Sequence, residues 1–202
     1  VSKEVGRLLS KHISINFLSQ GSAYMFQEAI GDYYLSENNA KFALTMYELA
    51  YHLIGPGNYS YLKKWTLLLK MADVLKTRFT GREEETLRVL EQLFKILEQY
   101  SKENEASLYR VKAVALKAMV LEKTGKKKGY DFLIQQRRTF EREKPSFHLF
   151  QICLELAEAF QEYEELGRYF LKLAKKNSEI LPKLALMNEK YDRWMFGEQE
   201  IE

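Results

Sequence analysis

Along almost the whole chain the apolar positions recur with the period of an α-helix. Near the front, Val5, Leu8, Leu9, His12, Ile13, Asn16 and Phe17 follow the i, i+3, i+4, i+7 pattern and predict an opening helix within residues 1–20. Gly21 interrupts it, and Ser22 is placed to cap the next helix over 22–36. Asn38 and Asn39 form a turn before a helix over 40–54, and Gly55-Pro56-Gly57 is the strongest breaker in the chain. Helices over 60–78 and 84–101 follow, joined at Thr80-Gly81. The pattern then predicts 105–124 and 128–142, separated by Gly125 and a lysine run. Pro145 and Ser146 restart the chain into 147–162 and 166–178, joined near Glu164–Gly167. Pro182 suits the first turn of a closing helix over 182–197. No stretch alternates with the period of a strand, so the expected fold class is all-α.

Helices joined in pairs by short turns invite a search for repeats. Gly31, Tyr34, Ala43, Tyr47 and Ala50 stand at successive intervals of 3, 9, 4 and 3. This set resembles the tetratricopeptide repeat, in which small residues let two helices of a hairpin approach and aromatics fill the groove beside the next. Looser sets follow: Ala72, Leu75, Leu87, Glu91 and Phe94; then Ala118, Leu121, Gly125, Tyr130 and Ile134; then Ala157, Phe160, Tyr169 and Leu173. The small anchors Gly31, Ala72, Ala118 and Ala157 lie 41, 46 and 39 residues apart. The family's usual period is about 34, so the hairpins here are of a long variety. Hairpins of this length are similar to those in the sensor arms of some bacterial regulators. The resemblance implies one domain over 1–202, a right-handed superhelical array of four hairpins at 22–57, 60–101, 105–143 and 146–178. The opening and closing helices would cover its ends.

Composition narrows the function classes. The 202 residues carry 31 Lys and Arg against 28 Asp and Glu, a net charge of +3, and 46% are hydrophobic. Such a chain buries a core and is not disordered. A single cysteine, Cys153, cannot make an internal disulfide, which fits a reducing compartment, and a cytoplasmic location is expected. No run approaches the roughly 18 apolar residues a spanning helix needs, and the front lacks the layout of a signal peptide. The chain begins at Val1 rather than Met, which leaves room for further domains in the native protein.

Chemistry-bearing residues are scattered. Glu48 and His52 share a helix face at i, i+4, but no second such pair completes a di-metal bundle. His148 and Cys153 are five residues apart, about 140° around a helix, and make a poor base–nucleophile couple. Glu155, Glu158 and Glu162 fall on a polar stripe, where solvated charge is the default. With no strand there is no phosphate loop of the strand–turn–helix kind. No enzyme activity, no metal and no cofactor are expected.

Two surfaces remain as candidates. The resemblance places the first helix of each hairpin along a concave groove. It implies partner-binding positions at Met25, Glu28, Asp32 and Leu35, then Leu69, Asp73 and Lys76. Lys112, Met119 and Glu122 follow, then Gln151, Leu154 and Glu158. A shift of one residue in aligning the hairpins would move each assignment, and burial by a neighbouring hairpin is the plain alternative. The second surface is basic. Residues 107–144 hold 11 Lys and Arg against 4 acids, including Lys123, Lys126, Lys127, Lys128, Arg137 and Arg138. Solubilising charge is the default there, and contact with an acidic partner or nucleic acid the alternative. The near-balanced net charge and the lack of interleaved aromatics argue against nucleic acid.

The expected function is therefore a non-catalytic protein-interaction module that holds a protein or peptide segment in its groove. The rival is an effector-sensing regulatory region of a larger signalling or transcription regulator. Fold alone does not choose between them.

Overall fold

A computed structural model describes residues 20–55, 60–100 and 105–180. The expected opening and closing helices, and most of the Gly55-Pro56-Gly57 break, lie outside the described residues. Within them the structure is all-helical, with eight α-helices and no strand. They are α1 (Gln20–Ser36), α2 (Ala40–Leu53), α3 (Ser60–Arg78), α4 (Glu83–Gln99), α5 (Ala106–Thr124), α6 (Lys128–Glu141), α7 (Phe147–Ala159) and α8 (Glu164–Ile180). No helix among the described residues is long and apolar enough to cross a membrane. The chain divides between Ala106 and Ser107 into two compact units.

In the first unit α1 packs on α2, α2 on α3 and α3 on α4. Tyr24, Ala43, Leu44, Tyr47, Ala50, Leu67, Met71, Val74 and Leu75 form one continuous core, with Tyr34 and Leu35 packed against it. Each large apolar side chain removed completely from water contributes roughly 1.5–3 kcal/mol. Trp65, Tyr47 and Leu67 are fully buried and belong to that group. The Asn39 carboxamide caps α2 by accepting from the Phe42 N–H at 3.3 Å. Glu83, Glu84 and Glu85 fill the first turn of α4, where negative charge complements the helix dipole.

The second unit holds α5 to α8. Ser146 caps α7 through its hydroxyl, which accepts from the Leu149 N–H at 3.1 Å. The Phe140 and Phe170 rings meet edge to face at 5.1 Å, joining α6 to α8. Both rings are fully buried, as are Leu133, Leu149, Phe150, Cys153, Leu156 and Leu166. On α5, Val111, Ala113, Val114, Ala115, Ala118 and Val120 are all buried, so this helix is covered on most of its circumference.

Two helix boundaries differ from the pattern's expectation for one reason. Helix α1 starts at Gln20, so Gly21 lies inside its first turn and Ser22 is not at the cap position. Helix α8 starts at Glu164, so Gly167 lies within it and the connection is made by residues 160–163. Glycine reads as a breaker in sequence. At Gly167 it instead marks where two helices touch: a Cβ there would sit 3.7 Å from the Ala157 carbonyl oxygen, at the crossing of α8 with α7.

The crossing of α6 with α5 is tighter. A Cβ on Gly129 would lie 2.3 Å from the backbone oxygen of Ala118, which is itself fully buried. A carbonyl on a packed helix cannot swing aside as a side chain can. Alanine in a helix gains about 1 kcal/mol of propensity over glycine, but the overpacking here costs about 1–3 kcal/mol. Gly129→Ala is therefore expected to cost up to about 2 kcal/mol net and to lower the melting temperature followed by circular dichroism by up to about 8 °C, at about 2–4 °C per kcal/mol. A variant that melts at or above the wild-type temperature would disprove the close crossing.

Candidate functional site

The residues assigned to the groove of the first hairpin meet a partner from the next. Gly31 has no side chain, and the Tyr47 ring of α2 fills the place where one would be: a Cβ at Gly31 would lie 2.5 Å from Tyr47 Cε1. The ring thus passes directly over the α1 backbone, and its hydroxyl donates to Asp32 Oδ1 at 2.6 Å. From α3, Lys70 Nζ donates to Glu28 Oε1 at 2.7 Å and to both Asp32 oxygens at 2.9 Å. The ammonium also lies 5.5 Å from the Tyr47 ring centroid, within cation–π range. Burial and the Asp32 carboxylate push the Tyr47 hydroxyl far above its ordinary value, so it stays a donor. Burial works against the charge on Lys70, but its hydrogen bonds to Glu28 and Asp32 prevail and raise its pKa.

This cluster is half open to solvent. The Lys70 side chain is 31% exposed, Glu28 24% and Asp32 53%. Two carboxylates face one ammonium, which leaves an excess of negative charge. Met25, three residues before Glu28 on the same helix face, is 58% exposed. The face thus combines an unburied thioether with carboxylates held in fixed positions.

The remaining groove assignments scatter. Leu35 packs against the first unit's core, Leu69 and Lys76 are half-buried, and Asp73 is exposed. Lys112 on α5 is half-buried near the Tyr109 ring, 5.9 Å from its centroid, and burial lowers its pKa. Met119 and Leu154 are half-buried, while Gln151 and Glu158 are exposed.

Glu122 has a different place. From the last turn of α5 its carboxylate reaches the start of α6, where the N–H groups of Lys127 and Gly129 donate to it at 3.0 Å and that of Tyr130 at 3.3 Å. The Tyr163 hydroxyl donates to it as well. A helix N-terminus leaves several N–H groups without partners, and here a carboxylate from the preceding helix satisfies them. The role fell to Glu122 because residue 127 is a lysine in the left-handed region, at φ 66°, with no side-chain cap of its own.

Of the basic positions, Lys123, Lys126, Lys127, Lys128 and Arg138 are exposed. Arg137 is not: its guanidinium stacks on the Tyr169 ring at 4.9 Å and pairs with Glu165 at 3.0 Å. Arg168, Lys172 and Glu164 join them around a cleft of 360 Å³. Among the described residues no group of three or more His, Cys, Asp or Glu side chains is placed to hold a metal ion. Cys153 is buried, and burial pushes its thiol up to about 12, which leaves it protonated at neutral pH.

Sequence reasoning missed Lys70 and Tyr163 as site residues. Lys70 is adjacent to Leu69, and a one-residue shift in the second hairpin would have found it. Tyr163 carries no comparable signal, because its partner lies 41 residues away in the chain. Comparison with known proteins adds no relative: no protein-family model, no curated protein and no solved structure matches the chain.

The cap at Glu122 makes a pH-dependent contribution. Burial disfavours its charge, but the hydrogen bonds from Tyr163, Lys127, Tyr130 and Gly129 outweigh that and hold its pKa below the ordinary value. A depressed carboxylate stabilises the fold above its unfolded pKa, about 4.3 for glutamate, and loses that contribution as pH falls through the folded value. Glu122→Gln removes the charge at every pH. The wild type's lead over this variant in urea midpoint is expected at pH 7 and should shrink toward zero below about pH 4. A lead that stays constant with pH would show that the carboxylate's charge plays no part.

Proposed function

We propose that the chain is a tetratricopeptide-like repeat protein whose function is to bind a segment of a partner protein, without catalysis. The superhelical stacking that the resemblance implies is part of the same proposal. The observation that carries the reading is the face of α1: Met25 projects into solvent beside Glu28 and Asp32, whose carboxylates Lys70 holds in place from α3. Fixed polar groups give a peptide its register, and an exposed methionine adapts to varied apolar side chains. The unbalanced carboxylate favours a segment bearing a basic side chain next to an apolar one. The small anchors support the repeat reading, since Ala72, Ala118 and Ala157 are all buried as Gly31 is.

Selection of a random peptide display library on the protein tests this. Enrichment of peptides sharing a basic–apolar pattern is the expected result. Met25→Glu is expected to weaken the selected peptides at least about tenfold, or about 1.4 kcal/mol, while leaving the melting temperature unchanged because the side chain is exposed. No enrichment, or peptides that bind Met25→Glu and Lys70→Met as tightly as wild type, would refute the reading.

A further inference from the structure

The exposed face of α6 carries charge that nothing in the fold uses. Lys128, Asp131, Gln135, Arg138 and Arg142 are all exposed. At 100° per residue they fall within an arc of about 80° on α6 and its C-cap. Lys126 and Lys127 extend this stripe at one end and Lys144 at the other, and all three are exposed. The side chains of these six cations make no ion pair among the described residues. The nearby acids are engaged elsewhere: Glu122 caps α6, Glu141 accepts from the Tyr169 hydroxyl at 3.1 Å, and Glu143 accepts from the Ser107 hydroxyl. Only Asp131 shares the stripe. Three lysines at the start of a helix also oppose its dipole, at a few tenths of a kcal/mol each. Departures from local preference that bring no internal compensation are expected at functional surfaces.

The composition of the face decides what it fits. Protein interfaces rely on aromatic and apolar anchors at their centre. Among the described residues the exposed large hydrophobic side chains, Met25, Phe42, Leu49, Tyr100 and Phe147, all lie on other elements. A single strand would need aromatic platforms for its bases, and the stripe has none. A duplex phosphate backbone needs only cations. The innermost cations of the two ends, Lys128 and Arg138, are separated by ten residues, about 15 Å of helix. That span is comparable with the width of the major groove of B-form DNA, about 12 Å, so cations at the two ends of a helix lying across the groove reach phosphates on both rims, whereas the major groove of duplex RNA is narrow. We propose that α6 and its flanking lysines dock on the phosphates of double-stranded DNA without reading sequence. The missing aromatics and the small net charge of the chain do not oppose this, because the charge is local and the contact is to the backbone. The proposal uses none of the residues of the α1 face and does not rest on the function proposed for it.

Fluorescence anisotropy of a labelled, mixed-sequence DNA duplex, titrated with the full chain across a salt series, tests the proposal. Log affinity is expected to fall linearly with log salt, with a slope of about −5 for six contacts. Lys126→Gln/Lys127→Gln/Lys128→Gln and Arg138→Gln/Arg142→Gln/Lys144→Gln should each weaken binding at least about tenfold at low salt and reduce the slope by about 2–3. Both sets replace exposed side chains, and circular dichroism of each confirms that it is folded. Three results would overturn the proposal. One is a salt slope unmoved by both sets. Another is binding of polyglutamate as tight as that of the duplex, which assigns the face to acidic proteins. The third is equal binding of an RNA duplex or of vesicles containing anionic lipid, which reduces the contact to charge alone.

Discussion

The first unit depends on one close approach, the Tyr47 ring lying over the backbone of α1 at Gly31. Any side chain at position 31 would occupy the space of the ring, with a Cβ 2.5 Å from its edge. That contact brings α2 against α1 and sends the hydroxyl past the α1 backbone to Asp32. Asp32 Oδ1 thus accepts from the phenol, and both Asp32 oxygens accept from Lys70 of α3. A single small residue thus leads to packing, to an oriented carboxylate and to a polar link across three helices. The ion pair itself, half exposed, adds little stability. Its consequence is positional: it keeps the carboxylates of α1 from choosing among rotamers.

The second unit meets the same demand for small residues at its crossings and resolves the polar consequences differently. Gly129 lets α6 run against the Ala118 carbonyl, which places the start of α6 beside the end of α5. That proximity brings Glu122 within reach of the N–H groups at the start of α6. In the first unit the carboxylates meet an ammonium. In the second the carboxylate meets backbone N–H groups and the Tyr163 hydroxyl, and Lys126, Lys127 and Lys128 beside it are exposed. The difference follows from Lys127, which holds a left-handed backbone conformation at the position where a capping residue would stand.

Most of the helices were legible in the chain, and the reason is that their apolar period is sustained: the expected range over 60–78 matches α3, and 105–124 differs from α5 by one residue. The boundaries near Gly21 and Gly167 were not, because glycine inside a helix and glycine in a turn look alike in sequence. The spacing that carries the tetratricopeptide resemblance includes Gly31 and Tyr47 but assigns the aromatics to the groove beside the next hairpin, whereas the Tyr47 ring lies over Gly31 of the same helix pair. It did not reveal Lys70. A charge on the following hairpin is placed by the crossing of α2 and α3, which no local pattern encodes. In the sequence Glu122 reads as a groove position and not as a cap, because most of its partners are backbone groups that every residue possesses.

Whether a charge is available to a partner is settled by what the fold already gives it. Glu28 and Asp32 carry as much charge as any two acids in the chain, yet Lys70 accounts for half of it, so a ligand at this face meets oriented hydrogen-bond acceptors more than a strong field. Arg137 is similarly committed, to Glu165 and the Tyr169 ring. One residue later, Arg138 turns outward with no counter-charge. Neighbours in sequence, on a helix, face directions about 100° apart, so a basic run such as 137–138 is divided by the fold into one internal tie and one external contact. The basic character of residues 107–144 is therefore less than its sequence count implies in total and more concentrated than that count implies in space. Concentration governs long-range attraction at physiological salt, because charges separated by more than a Debye length of about 8 Å are screened from each other.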